Sequence, residues 1–248
     1  MIRAMAERRK WGASPTFGPR QWFRHRLLVR ELAASRAQGT VLDAGCGHGR
    51  MAELLSKRGL QVFGFDESSL AVSKAATRVP DALFWSGSLL QMALPDAKFD
   101  AVISGDVLEH LEDDKKAVAE IFRVLKPGGL AVVSVPADPK KWSLDDEWSG
   151  HKRRYNKADL ISLFKSAGFA VIKCRHWGWP ITWIYYRLFY IPMLKRQLGS
   201  KQGSPGLQGM KESKLYESAF RIAFLPDMLC LDAPAGIGLL AVFSKPRP

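Results

Sequence analysis

A chain of 248 residues with 47% apolar side chains holds enough hydrophobic material for one folded domain with insertions, or one domain and a small cap. No run reaches the roughly 18–20 consecutive apolar residues of a membrane-spanning helix, and the basic start Met1–Lys10 has no apolar segment behind it, so neither a span nor a secretory signal is expected. The formal net charge of +13 concerns partners and not fold, and favours nucleic acid, an anionic membrane surface or an acidic substrate.

In chain order, residues 1–37 are basic and partly aromatic, with Arg8, Arg9, Lys10 and Trp11 followed by Trp22, Phe23 and Arg24. Apolar spacing through Phe23, Leu27, Leu28 and Leu32 predicts a helix over Trp22–Ala34. Strands are predicted at 40–44, 61–65, 82–85, 99–104 and 130–135, and helices at 49–58, 68–77, 113–125 and 157–167. Such alternation predicts a parallel sheet with helices on both faces. Pro127-Gly128-Gly129 is expected to close the helix over 113–125. A sixth strand is predicted at Val171–Cys174 and a last one at Gly236–Ser244. About sixty residues separate them, too many for a simple loop, which predicts inserted structure. That insertion opens with WGWPITWIYYRLFYIPML over Trp177–Leu194, where Pro180 and Pro192 bracket about three turns. Lys195, Arg196 and Lys201 follow, then a mobile loop is expected over Ser200–Gly209 and a helix over Lys211–Leu225.

The stretch Val41–Arg50, VLDAGCGHGR, is a short apolar run ending in an acid, then glycines at 45, 47 and 49. Strand, tight turn and helix is the simplest reading, with backbone left open to a ligand. Asp66, closing the second strand, is placed to accept hydrogen bonds from ribose hydroxyls. The pattern is G-x-G-x-G and not the pyrophosphate fingerprint G-x-G-x-x-G, and an acid before the loop suits an ammonium better than a phosphate. S-adenosylmethionine (SAM) therefore fits better than NAD, although a turn of purely structural glycines has the same pattern.

VLDAGCGHGR, FGFDESSLAVSKA, FDAVISGDVLEHLED and VLKPGGLAVVSVP, in that order, resemble the class I SAM-dependent methyltransferases, in particular the small-molecule branch that includes the quinone methyltransferases. The resemblance covers residues 38–172 and the final strand. It implies a Rossmann-like, doubly wound α/β sheet of seven strands, the last inserted antiparallel and usually after a short hairpin, where the about sixty residues of this chain add a helical insertion. The expected divisions are a basic helical segment at 1–37, a SAM-binding core at 38–176, an inserted helical cap at 177–235 and the final strand and tail at 236–248. Asp43, Gly45 and Gly47, with Cys46 between the glycines, would wrap the methionine end of SAM. Asp66, with Glu67 beside it, would hold the ribose, Ser88 and Leu89 would flank the adenine, and Asp106 completes the implied cofactor set. Many relatives carry an acid where Ser88 stands.

His110 and His151 are the candidate catalytic bases, since an oxygen acceptor must lose a proton near neutral pH. Asp106 is an alternative base, and Glu109 is read as structural. Arg153, Arg154 and Tyr155 in WSGHKRRYN are the candidate substrate-binding residues, two guanidinium groups for an anion and a ring to stack or donate. The competing readings are a capping role for His110 and a solvated basic loop at 152–155. Cys46, Cys174 and Cys230 lie far apart, and the absence of a C-x-x-C pair or Cys/His cluster gives no reason to expect zinc or any other metal. Their sparse use points to a reducing cytoplasm.

The expected function is transfer of a methyl group from SAM to a small-molecule or lipid-linked acceptor, at oxygen. An RNA methyltransferase and a SAM-binding protein without turnover are the alternatives. The fourth predicted strand ends in SGDV and no RNA-binding appendage is recognisable, which argues against nucleic acid. Cations beside the aromatic run suggest peripheral contact with an anionic membrane, at the inner surface of a cytoplasmic compartment.

Overall fold

The computed structural model describes residues 18–35, 39–199, 219, 222–231 and 233–248. Arg8, Arg9, Lys10, Trp11, Lys201, the loop expected over Ser200–Gly209 and most of the helix expected over Lys211–Leu225 lie outside the described residues.

The helices are α1 (Pro19–Ala34), α2 (Arg50–Ser56), α3 (Ser69–Arg78), α4 (Asp114–Val124), α5 (Leu144–Ser149), α6 (Lys157–Ser166), α7 (Ile181–Tyr185), α8 (Ile191–Gly199) and α9 (Leu225–Leu229). The strands are β1 (Thr40–Ala44), β2 (Gln61–Asp66), β3 (Leu83–Ser86), β4 (Phe99–Gly105), β5 (Leu125–Pro136), β6 (Ala170–Trp177) and β7 (Gly238–Ser244). They form one seven-stranded sheet in the order β3-β2-β1-β4-β5-β7-β6. β1 to β5 pair in parallel, and β7 runs antiparallel to both β5 and β6. The chain winds outward from β1 to β3 and then returns to place β4 on the other side of β1. That reversal opens a crevice at the carboxyl ends of β1 and β4.

Alternation along the central strands explains why both faces are covered. Leu42, Val102, Val133 and Ala241 point into a core shared with Val118 and Ile121 of α4 and with Leu160 and Phe164 of α6. Phe164 stacks on Phe243 of β7 with ring centroids 4.0 Å apart. Val41, Ala101, Ile103, Val132 and Val242 point the other way, onto Phe23, Leu27, Leu28 and Leu32 of α1 and Leu55 of α2. The N-terminal helix is thus core material, and the residues that predicted it are the ones that bury.

Two expectations change. α4 gives way at Val124 directly to extended backbone, so Pro127-Gly128-Gly129 lies inside the β5 run and does not close the helix. Pro192 does not end the helix begun at Ile181. The helix widens to a π turn over Tyr186–Tyr190 and continues as α8. Proline lacks an N–H and crowds the carbonyl four residues back, and the wider turn makes room for it. The start of α7 is held by Asp227, fully buried, whose carboxylate accepts from the N–H groups of Ile181 (2.6 Å) and Thr182 (2.9 Å).

Glu31 fastens α1 to the far edge of the sheet. Its buried carboxylate accepts from Lys173 Nζ at 2.7 Å and from Arg175, both on β6. Replacing Glu31 with Ala strands two cations beside apolar surface, and is expected to lower stability by about 3 kcal/mol in urea unfolding. Glu31→Gln, which keeps an acceptor, should lose less.

Candidate active site

The glycine loop leaves β1 under tight constraint. The N–H groups of Gly45 and Cys46 both donate to Phe65 O at 2.9 Å, and that of Gly47 donates to Asp66 Oδ2 at 2.9 Å. Gly45 and Gly47 have φ of +84° and +50°, a region L side chains seldom enter. A Cβ on Gly45 would strike Val107, just beyond β4, whereas a Cβ on Gly47 would meet nothing within 4 Å. The loop is therefore packed on the β4 side and open at Gly47, as a ligand cradle requires. Burial and the charges of Asp43 and Asp66 push the Cys46 thiol up, so Cys46 fills the turn as an inert thiol.

Asp43 is 3% exposed and its Oδ2 has no hydrogen-bond partner among the described residues. Burial, and secondarily the neighbouring Asp66 carboxylate, pushes its pKa up to about 7. A buried acid with an unmatched oxygen at the mouth of an open glycine loop is suited to a cationic ligand. Asp66 also accepts from Ser68 N at 2.9 Å, so it couples the loop to the start of α3. Glu67 accepts from Ser88 Oγ at 3.1 Å, which brings the two strand ends β2 and β3 together, and Leu89 is buried beneath them. Asp106, at φ +56°, is held by Ser134 Oγ at 2.9 Å and by Arg24 of α1. Its carboxylate thereby ties the N-terminal helix to the end of β4.

His110 and His151, 41 residues apart, are brought ring to ring, with centroids 4.8 Å apart at 79°. A backbone bond from Lys152 N to Glu109 O (2.7 Å) joins the segments that carry them. His151 Nδ1 lies 2.8 Å from Asp146 Oδ1. Asp146 also takes two bonds of 2.7 Å from Arg154 and one of 3.0 Å from Ser143 Oγ. Burial alone would raise the Asp146 pKa, but the His151 and Arg154 bonds hold it well below the usual carboxylate range.

The expected anion clamp is differently employed. Arg154 is buried, and its remaining bonds go to Ala137 O (3.2 Å) and Tyr186 (3.5 Å). Arg153 pairs with Asp114 at 2.9 Å and donates to the carbonyls of Leu111 and Glu112. Tyr155 is buried and donates to Asp114 Oδ2 at 2.8 Å. Arg153 and Tyr155 lace the loop after β5 to the segment 111–114, and Arg154 ties the same loop to α5, so that together they set where His151 meets His110. Their hydrogen bonds are to the protein itself because α4 and α5 offer carboxylates that a linear sequence does not place.

Sequence reasoning missed Asp146 and did not foresee the full burial of Glu109. The spacing S-x-x-D at Ser143–Asp146 was a readable capping signal, and the structure has the reciprocal capping box there. It also missed Asp145, buried beside Arg20 (2.7 Å) and Tyr190 (2.8 Å), with Arg20 over the Tyr186 and Tyr190 rings. These contacts gather α1, α5 and the inserted helices next to the histidines.

A methyltransferase domain family model matches residues 42–133, the segment holding the glycine loop, Asp66 and His110. Over those residues the chain is similar to methyltransferase domains. A probable S-adenosylmethionine-dependent methyltransferase of Mycolicibacterium smegmatis is 37% identical over 60% of this chain and 60% of its own. The demethylmenaquinone methyltransferase of Thermus thermophilus is 34% identical over 50% of this chain and 59% of its own. The match thus spans about 60% of the length of these relatives. Phosphoethanolamine N-methyltransferase 2 of Haemonchus contortus, solved with SAM, shares the fold at a TM-score of 0.60 and 18% identity, covering all of this chain and 60% of that one.

SAM is the cofactor named for these relatives, and the Asp43 oxygen without a partner among the described residues offers a place for a cation. Because Asp43 keeps its proton in the folded protein up to about pH 7, its contribution to stability falls as pH rises from about 4 to about 7. A cation binds the ionised form, so SAM affinity should rise with pH across that window, approaching tenfold per unit below the pKa. Calorimetry should show this slope in the wild type and a flat profile in Asp43→Asn. Gly47→Val should abolish binding by filling the open side of the loop.

Proposed function

We propose that the protein transfers the methyl group of SAM to an oxygen of a small-molecule or lipid-linked acceptor seated beside Glu109, His110 and His151. The observation that carries this reading is the juxtaposition of the glycine loop and the histidine pair across adjacent strands β1 and β4, with Val107 packed against Gly45. Methyl transfer is an in-line displacement, and most of the work is holding donor and acceptor close and aligned. In this reading the main chain at 45–47, with Asp43 and Asp66, fixes the donor. The Glu109–His110–His151 cluster receives the acceptor hydroxyl and manages its proton, with Asp146 orienting His151. Arg154 and Tyr155 act as positioning residues for that cluster.

A quinone-type or otherwise lipid-linked acceptor is favoured by the inserted helices. Ile184, Leu188, Phe189 and Met193 are exposed along one helical run, Leu188 and Phe189 by 62% and 63%. Arg187, Lys195 and Arg196 are exposed among them. None of the described helices is long and apolar enough to cross a membrane. Apolar side chains interleaved with cations suit peripheral contact with an anionic leaflet, each cation adding about 1 kcal/mol of attraction. The relative named for demethylmenaquinone supports the same acceptor class. The buried network of Asp145, Tyr186 and Tyr190 would then make this insertion a cap whose outer face meets the membrane and whose inner face borders the acceptor.

Transfer of labelled methyl from SAM is expected to a lipid extract, and not to RNA. Label in RNA alone would overturn the acceptor assignment, and label in neither that fraction, the lipid nor a small-molecule extract would leave a SAM-binding protein without turnover. Replacing His110 or His151 with Asn should lower turnover by about 10²–10⁴ with SAM affinity retained. Sedimentation with anionic vesicles should weaken with salt and fall in Leu188→Ser and Phe189→Ser; indifference of the wild type to vesicles would remove the membrane half of the proposal.

A further inference from the structure

Glu109, the residue read from sequence as structural, is the least satisfied group near the histidines. It is fully buried, at 0% exposure, and neither carboxylate oxygen has a hydrogen-bond partner among the described residues. A buried carboxylate in that state is costly unless something cationic meets it. What it faces is imidazole: Glu109 Oε1 is 3.9 Å from His151 Nε2, and one ligand-capable atom from each of Glu109, His110 and His151 lies within 4.8 Å of the others.

The rear of His151 is consistent with the same use. Its Nδ1 is engaged by Asp146 at 2.8 Å, which fixes the ring and directs Nε2 towards Glu109. A carboxylate behind the imidazole is the usual support of a metal-bound histidine, where it sets the tautomer and raises ligand basicity. Asp146 is itself immobilised by Arg154 and Ser143, so the ring orientation is built into the fold.

We infer that Glu109, His110 and His151 form a binding site for a divalent first-row transition-metal ion. Two imidazoles and one carboxylate suit Zn²⁺, Mn²⁺ or Fe²⁺ better than the all-oxygen preferences of Ca²⁺ and Mg²⁺. Bonds of about 2.0–2.2 Å place tetrahedral ligand atoms about 3.3 Å apart, so the three side chains must close in by about an ångström on the ion. Three protein ligands leave a further position for an exchangeable oxygen. The binding claim stands on this geometry alone; its catalytic use rests on the methyl-transfer reading above. In that use the acceptor hydroxyl takes the open position and loses its proton to water. The oxyanion then forms the new O–C bond as the S–C bond breaks, and SAM leaves as the neutral thioether. The two histidines then serve as ligands, and the ion acidifies the hydroxyl in their place.

The test uses the whole chain, stripped with a chelator and titrated with Co²⁺ as a spectroscopic stand-in. One equivalent should bind with visible d–d bands, and Zn²⁺ should displace it. Glu109→Gln, His110→Asn and His151→Asn should each weaken binding at least about tenfold, while His176→Asn, away from the cluster, should not. Circular dichroism establishes that each variant is folded, and any one folded variant suffices. Absence of stoichiometric binding by the wild type, or binding at full affinity that survives these substitutions, overturns the inference. Metal binding without methyl transfer to any acceptor would leave the site standing and defeat the functional reading. Undiminished transfer by a protein that binds no metal would do the reverse.

Discussion

The buried carboxylate of Asp146 is the constraint on which the acceptor side of this molecule depends. It caps its own helix through Ser143, neutralises the buried Arg154, and fixes the His151 ring. One oxygen pair thus serves helix, loop and functional side chain together. Such a group is high-stakes: fully satisfied it specifies one arrangement, and partly satisfied it would be worse than an apolar core. Because Arg154 also reaches Ala137 O, the loop after β5 cannot shift without breaking bonds on both sides of the histidine.

A second theme is the distribution of charge. The chain carries a formal net charge of +13, yet four of its buried acids, Asp43, Glu109, Asp145 and Asp146, gather at the carboxyl end of the sheet and its flanks. Two of them, Asp145 and Asp146, have arginine partners. Asp43 and Glu109 retain oxygens with no hydrogen-bond partner among the described residues. A low-dielectric crevice with unmatched acids attracts cations far more strongly than an exposed acid would. That polarity suits a positively charged methyl donor on one side of Val107 and, on our inference, a metal ion on the other.

The inserted helices show how an irregular element is stabilised by contacts from elsewhere. Aromatic residues supply the packing area, but the segment is anchored by polar groups: Asp227 at its start, and Asp145 under Tyr190 further along. The π turn lets Pro192 sit inside a continuous helix. π turns recur at functional sites because they re-aim side chains by a fraction of a turn, and here Tyr186, within the turn, reaches Ser143 at 2.8 Å. The insertion is therefore connected to the His151 support through the Tyr186 hydroxyl, which meets both Ser143 and Arg154.

The sheet and the glycine loop were legible in the sequence because their signals are local. Apolar runs, the glycines at 45, 47 and 49, and Asp66 at a strand end encode a strand, a turn with positive φ and an acid, each within a few residues. The acceptor side was not legible in the same way. His110 and His151 could be named as polar residues near strand ends, but their meeting depends on Arg153 and Tyr155 both choosing Asp114, and on Arg154 choosing Asp146. Sequence alone left those arginines free to bind an anion, and gave no reason to single out Glu109. Side-chain pairing across 40 residues is decided by which carboxylates folding brings within reach, and burial then makes each choice binding. Local patterns therefore determined the fold and the glycine loop, whereas long-range burial of charge decided how His110, His151 and Glu109 are brought together.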